Sequence, residues 1–264
     1  MIVFITGISS GFGHETARLL AQEGHTVYGT VRREVEPLPK VNYLQLDVRD
    51  REAVSDAVRQ VVEKEGRIDV LVNNAGMGIG GPLEFATEEE IRLQMDTNFM
   101  GLVHCADAVL PYMRRQKSGK IIALSSIGGL MGLPFQGFYS ASKFAIEGYC
   151  EALRLETKSF GIKVVVIRPG DFATGFTGSR KKVADEVAIE AYPIYQTAID
   201  KVEHDENGGL KPTVLARKIS RIIRKKNPRH GYVVASLEQK LSVFLKRILP
   251  AKWFARILGS YYRV

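Results

Sequence analysis

The chain has little from which a covalent or metal-based framework could be built. Its 264 residues include only two cysteines, Cys105 and Cys150, and five histidines. Two thiols cannot form a disulfide network, and neither stands at metal-ligand spacing from a histidine. His14, His25, His104, His204 and His230 form no close pair, so no metal is expected. No apolar run approaches the length of about 18 residues that a membrane-spanning helix requires. Met1 opens directly onto Ile2-Val3-Phe4-Ile5, with no basic leader ahead of it, and a reduced, cytoplasmic setting is expected. Internal repeats, low-complexity tracts and a Pro/Gly-rich linker ahead of residue 211 are also missing, which argues for one domain.

What the chain does contain is an ordinary globular balance, 45% hydrophobic and 25% charged residues, arranged as alternating elements. Short, β-branched apolar runs occur at Ile2–Thr6, Thr26–Val31, Asn42–Leu46, Asp69–Val72, Lys120–Ser125, Ile162–Arg168 and Gly231–Ala235. Stretches of helical period separate them at Phe12–Glu23, Arg51–Glu65, Glu88–Arg115, Ala141–Phe160 and Thr213–Lys225. Strands that alternate with helices of this length predict a doubly wound α/β domain with a seven-stranded parallel sheet. The expected domain covers residues 1–236, with residues 175–211 as a lid over substrate and residues 237–264 as a basic amphipathic extension.

Where the first strand meets the first helix stands Thr6-Gly7-Ile8-Ser9-Ser10-Gly11-Phe12-Gly13. Glycines there permit a tight turn and close approach of backbone N–H groups to a pyrophosphate at the helix N-terminus. The second strand ends in Thr30-Val31-Arg32-Arg33. A NAD site would carry an acid about 20 residues after the turn, to accept from the ribose 2′-hydroxyl. A guanidinium instead suits a 2′-phosphate, which it can hold by paired, charge-assisted hydrogen bonds. Arg32, assisted by Arg33 or Ser9, therefore predicts NADP(H).

Tyr139 and Lys143 stand four residues apart, a spacing that puts both on one helix face. A phenol titrates near pH 10, so proton transfer at neutral pH calls for a neighbouring cation to stabilise its anion. Ser126 stands at the end of the fifth strand, where open parallel sheets bind ligands. The Tyr-x-x-x-Lys spacing is common by chance and gains its meaning only in this company.

Taken together, the Thr6–Gly13 turn, Asn73-Asn74-Ala75-Gly76, Asn98, Ser126, Tyr139-x-x-x-Lys143 and Pro169-Gly170 resemble the short-chain dehydrogenase/reductase family, over about residues 1–240. The resemblance is to its single-domain, Rossmann-type branch, nearest to the steroid and retinoid dehydrogenases. It implies Tyr139 as general acid/base, Lys143 lowering its pKa and binding the nicotinamide ribose, Ser126 polarising the substrate oxygen, and Asn98 holding a water that links Lys143 to solvent. It further implies Gly7, Ser9, Ser10, Gly11, Phe12 and Gly13 around the pyrophosphate, Asp47 and Val48 at the adenine, and Asn74, Ala75 and Gly76 lining the cofactor cleft. Pro169, Gly170, Phe172 and Thr174 would border the nicotinamide. Relatives of this kind form homodimers or homotetramers, here expected through the helices at Glu88–Arg115 and Ala141–Phe160.

The side chains expected around the substrate, Leu133, Phe135 and Phe176 beside Ser126 and Tyr139, are apolar, which favours an apolar ketone, aldehyde or alcohol over a sugar phosphate. A non-catalytic NADP(H)-sensing protein of the same fold is the alternative, although binding alone does not require a tuned phenol. The charge is uneven: 14 of the 37 basic residues but one of the 29 acids fall after residue 210. No nucleic-acid motif accompanies that charge. The stripe Leu237, Leu241, Phe244, Leu245, Ile248 and Leu249, followed by Trp253, Phe254, Ile257 and Leu258, suits an anionic membrane surface or, alternatively, packing on the body, over the cleft or against another subunit.

Overall fold

The computed structural model of the chain describes residues 1–182 and 186–264. Its first half runs β1 (Ile2–Ile5), α1 (Gly11–Gln22), β2 (Thr26–Val31), β3 (Val41–Gln45), α2 (Arg51–Glu65), β4 (Val70–Asn73), β5 (Ile79–Gly80), α3 (Glu88–Met95) and α4 (Gly101–Gln116). Then follow β6 (Gly119–Leu124), α5 (Gly137–Glu156), β7 (Ile162–Pro169), α6 (Phe176–Ser179), β8 (Lys181–Lys182), α7 (Glu186–Ala191) and α8 (Tyr195–Asn207). The chain ends with α9 (Pro212–Arg224), β9 (Gly231–Val234), α10 (Leu237–Ile248) and α11 (Ala251–Tyr262).

Seven strands form the parallel sheet in the order β3-β2-β1-β4-β6-β7-β9, as the apolar runs predict. Side chains alternate across a strand, and here both sets are apolar because both faces are covered. Phe4, Leu71, Ile121 and Val164 point to the side occupied by α2, α4 and α5, where Val58, Val109, Met113 and Ile146 meet them. Val3, Ile5, Val72, Ile122 and Ile167 point to the other side, against Leu20 of α1 and Leu215 and Ile219 of α9. Cys105 and Cys150 are buried in the first layer as free thiols, and burial pushes both up to about 12. They behave as small hydrophobes.

Two helical boundaries differ from the sequence periodicity. Glu88–Arg115 is not one helix: a π turn at Asp96–Met100 separates α3 from α4. The extra residue per turn rotates Asn98 inward, where it is 1% exposed, the placement in which π turns recur at functional sites. α5 begins at Gly137 rather than Ala141, so Tyr139 lies in its first turn. That turn, Gly-Phe-Tyr-Ser, has no apolar repeat from which to recognise it. The segment after β7 loops out and returns: Phe172 pairs with Leu210, and β8 pairs with β5 through Ile79 and Lys181. Residues 183–185 of the expected lid lie outside the described residues.

The sheet's strand order reverses between β1 and β4, and this opens a crevice at their carboxyl ends. The Thr6 hydroxyl accepts the backbone N–H groups of both Asn74 and Ala75 at 2.9 Å. The Asn74 amide donates in return to the carbonyls of Thr6 and Gly7 at 2.8 and 2.9 Å. Thr6→Val keeps the shape but leaves two N–H groups without their acceptor. A loss of about 2–3 kcal/mol in urea unfolding is expected, with weakened dinucleotide binding.

Candidate active site

The crevice is a cleft whose floor is the glycine turn. Gly7 and Gly11 take φ of +71° and +59°, a region that favours glycine. Ser10 caps α1 with no side-chain hydrogen bond to the helix, and the first turn holds no acid. The helix's first N–H groups thus remain available beside a cleft lined by Ser9, Ser10, Gly11 and Phe12, which fits a pyrophosphate. Gly13 does not line the cleft as expected. It packs beneath the turn, where a Cβ would lie 2.2 Å from the Gly7 carbonyl oxygen and 2.5 Å from the Asn74 amide nitrogen.

Arg32, Asp47 and Val48 line the cleft's outer end, together with Asn74, Ala75 and Gly76. The Arg32 side chain forms no ion pair with a described residue. Arg33 is exposed and does not line the cleft, because successive residues leaving β2 point apart. Asp47 is held by Arg49, which donates Nε and Nη2 at 3.0 and 2.7 Å. The Arg49 hydrogen bond keeps the Asp47 carboxyl below its ordinary range.

At the inner end stand Ser126, Tyr139, Lys143, Pro169, Gly170, Phe172 and Thr174, with Leu133 and Phe176 facing them. Tyr139 is recessed, its open edge turned to the cleft, and its ring lies 5.8 Å from that of Phe176. Lys143 is buried, with Nζ 5.7 Å from the Tyr139 ring centroid and donating to the Leu124 carbonyl at 2.9 Å. Burial dominates both: the phenol is pushed up to about 12, and Lys143 is pulled down to about 8. Ser126, hydrogen-bonded to Tyr139, works against the rise. The lowering of the Tyr139 phenol expected from sequence is not seen: desolvation is the largest influence, and the lowering influences are the Ser126 hydrogen bond and the Arg180 charge rather than Lys143. What this arrangement holds at neutral pH is a protonated phenol, an acid beside a hydroxyl.

Asn98 sits behind this wall rather than on it. Its Nδ2 donates to the Met77 carbonyl and to Ser142 Oγ, both at 3.0 Å, and its Oδ1 accepts from Met77 N–H at 2.8 Å. Ser142 in turn donates to the Tyr139 carbonyl at 2.7 Å. These contacts tie the Asn98 side chain to the Tyr139 turn. Phe135, expected at the substrate, also lies outside the cleft. With φ of +56° it directs its ring to Tyr195 and Tyr192, at 5.2 and 6.2 Å. Thr174 lines the cleft, and its hydroxyl accepts from Phe176 N–H at 3.2 Å, just ahead of the Gly175 cap of α6.

Among the cleft residues that escape sequence reasoning are Gln136, Asp171, Asp205, Glu206 and Tyr262. Only Asp171 carried a signal, standing directly after Pro169-Gly170 on a strand end. Glu206 is neutralised by Arg180, whose side chain is fully buried, and accepts from Thr177 Oγ1 at 2.6 Å. Asp205 is paired with Lys201 at 3.0 Å. Asp171 forms no ion pair with a described residue. Burial, and then the charges of Glu206 and Asp205, raise its carboxyl to about 6.

A parallel sheet whose crevice joins a phosphate-accommodating glycine turn to a Ser-Tyr-Lys set defines a nucleotide-binding oxidoreductase. The chain belongs to the short-chain dehydrogenase family, whose model matches residues 1–185. It is 48% identical over 264 residues to a 3-ketodihydrosphingosine reductase of Bacteroides thetaiotaomicron, covering 100% of this chain and 98% of that protein. It is 40% identical over 211 residues to human 17-beta-hydroxysteroid dehydrogenase type 1, covering 72% of this chain and 64% of that protein. Among solved structures, a short-chain dehydrogenase from Streptomyces avermitilis superposes with a TM-score of 0.81 at 27% identity, covering 99% of this chain and 96% of that one.

Asp171 carries a stability cost with a definite sign. Its folded value of about 6 exceeds its ordinary 3.8, so the folded state binds the proton more tightly and stability falls as pH rises from 3.8 to 6. Asp171→Asn is expected to be more stable at neutral pH by on the order of 2 kcal/mol. The gain should shrink towards zero below about pH 4, as compared by urea unfolding at the two pH values.

Proposed function

We propose that the chain is an NADPH-dependent reductase whose substrate is a long-chain aminoketone of the 3-ketodihydrosphingosine type. The observation that carries this reading is Asp171, a partly buried carboxylate that forms no ion pair with a described residue, in the cleft that holds Ser126 and Tyr139. Its charge reaches the Tyr139 phenol, so a ligand placed at Tyr139 lies near both. 3-Ketodihydrosphingosine carries an amine on the carbon next to its ketone and an alkyl chain beyond. Its ammonium suits Asp171 when its carbonyl oxygen meets Tyr139 and Ser126, and the apolar Leu133 and Phe176 suit the chain. A steroid or retinoid offers Asp171 no cation.

NADPH is supported by Arg32, a free guanidinium at the outer end of the cleft where the one nearby acid, Asp47, is already held by Arg49. Bound there, the dinucleotide supplies the hydride for the substrate carbon. Tyr139 gives its proton to the substrate oxygen, and the Ser126 hydroxyl donates to the same oxygen while its Oγ accepts from Gly128 N–H at 3.0 Å. Lys143, fixed by the Leu124 carbonyl, steadies the phenolate that results. Tyr139 is protonated at neutral pH, the state from which reduction begins.

Fluorescence titration is expected to show NADPH binding about tenfold or more tighter than NADH, and Arg32→Asp should reverse the order. Tyr139→Phe should bind NADPH normally and lose about a hundredfold or more in turnover; retained output would favour a cofactor sensor. Asp171→Asn should lower kcat/KM for the aminoketone by about tenfold to a hundredfold, and leave the deaminated ketone unchanged. An equal loss on both ketones would remove the ammonium assignment.

A further inference from the structure

The apolar stripe of the C-terminal segment divides in the fold into two rows with opposite surroundings. Val243 of α10 and Phe254 of α11 point inward and meet Met131 in one small core, with Leu245, Leu249 and Leu258 packed against it. Both inward rows reach the same core, so the opposite sides of the two contacting helices are turned away from it. This outer face is apolar as well. On α10, Leu237, Leu241, Phe244 and Ile248 recur at helical spacing and are 83, 55, 56 and 58% exposed. On α11, Trp253 and Ile257 continue the row at 58 and 48%, whereas Tyr261 turns to α8, donating to Asp205 at 2.7 Å. Isolated exposed side chains of this kind are ordinary, but a contiguous row is not.

The border of this face has one sign. Lys240, Arg247, Lys252 and Arg256 are exposed around it, Glu238 is the only acid of α10 and α11, and none of these cations forms an ion pair with a described residue. Arg256 lies 5.3 Å from the Trp253 ring, and Lys246 lies 5.0 Å from that of Phe254. A second copy of the same face would bring these cations against their equals, because a two-fold contact pairs a patch with itself. A surface of anionic lipid headgroups complements them, and an aromatic side chain between apolar and basic residues suits the headgroup boundary. Among the described residues no helix is long and apolar enough to cross a membrane, so the fitting mode is to lie on one.

The two helices also adjoin the cleft by their inner sides. Tyr262 at the end of α11 lines it, and Gln239 of α10 accepts the Asp171 backbone N–H at 3.2 Å. We propose that the outer face of α10 and α11 docks the protein on an anionic bilayer surface, with the cleft entrance beside the lipid. This rests on the exposed rows and their charge and stands whatever the substrate is.

The test is cosedimentation of the full chain with vesicles of phosphatidylcholine alone and with vesicles in which a third of the lipid is phosphatidylglycerol. Binding to the anionic vesicles should be about tenfold or more stronger and should weaken with added salt. A triple variant, Leu241→Glu, Phe244→Glu and Trp253→Glu, changes only exposed side chains and should lose vesicle binding while keeping its melting temperature and dinucleotide affinity. Equal binding to both vesicle types, binding to neither, or undiminished binding by the folded variant would overturn the proposal. So would a wild-type dimer, seen by light scattering, that ignores vesicles and dissociates in the variant, for then a second copy covers the face.

Discussion

The site depends on how the carboxyl ends of β1 and β4 are held together. Where the strand order reverses there is no strand-to-strand ladder beyond Ile5 and Val72, and the backbone must find other partners. Thr6 and Asn74 provide them reciprocally: a hydroxyl accepting two N–H groups and an amide donating to two carbonyls. This brace sets the height of the glycine turn, and Gly13 packs against the same carbonyl and amide from below. A cleft for a dinucleotide is thus the consequence of satisfying backbone groups at a topological switch.

Around that cleft, burial competes with charge. Tyr139, Lys143 and Asp171 each lean towards the neutral form, with desolvation the largest cause in every case. Three ionisable groups out of their ordinary ranges in one cleft form the pattern expected where chemistry is done. Glu206 and Arg180 answer the same pressure differently, as a mutually neutralised pair. The segment that carries them is tied down at Phe172–Leu210 and again at β5–β8, so the cleft wall is built from a long excursion anchored at both ends.

Much of this was legible in the linear chain because it depends on local spacing. Short runs with both phases apolar, bounded by turn residues, mark strands buried on two faces; β3, with Asn42 and Gln45 and no fully buried residue, is an edge strand instead. Four residues on a helix bring Tyr139 and Lys143 to one side whatever surrounds them, and a turn from strand to helix needs its glycines wherever it occurs. Arg32 was visible as the residue closing β2. Local spacing failed where a side chain's direction is set by a distant partner. The π turn at Asp96–Met100 commits Asn98 to Met77 and Ser142, and the left-handed backbone of Phe135 sends its ring to Tyr192 and Tyr195.

Chain order and residue type were enough for the sheet, its two helical layers and the glycine turn, because each follows from periodicity or from neighbours a few residues apart, while the Ser126–Tyr139–Lys143 set was legible through its resemblance to a family pattern. Folding alone brought Asp171, Glu206 and Tyr262 into one cleft, drawn from a strand end and two separate helices. Folding likewise divided the C-terminal stripe, turning Val243 and Phe254 inward and leaving Leu241, Phe244 and Trp253 outside. An apolar residue in a sequence states only that it prefers to leave water. Which surface receives it, or whether any does, is decided by the packing of elements that lie far apart in the chain.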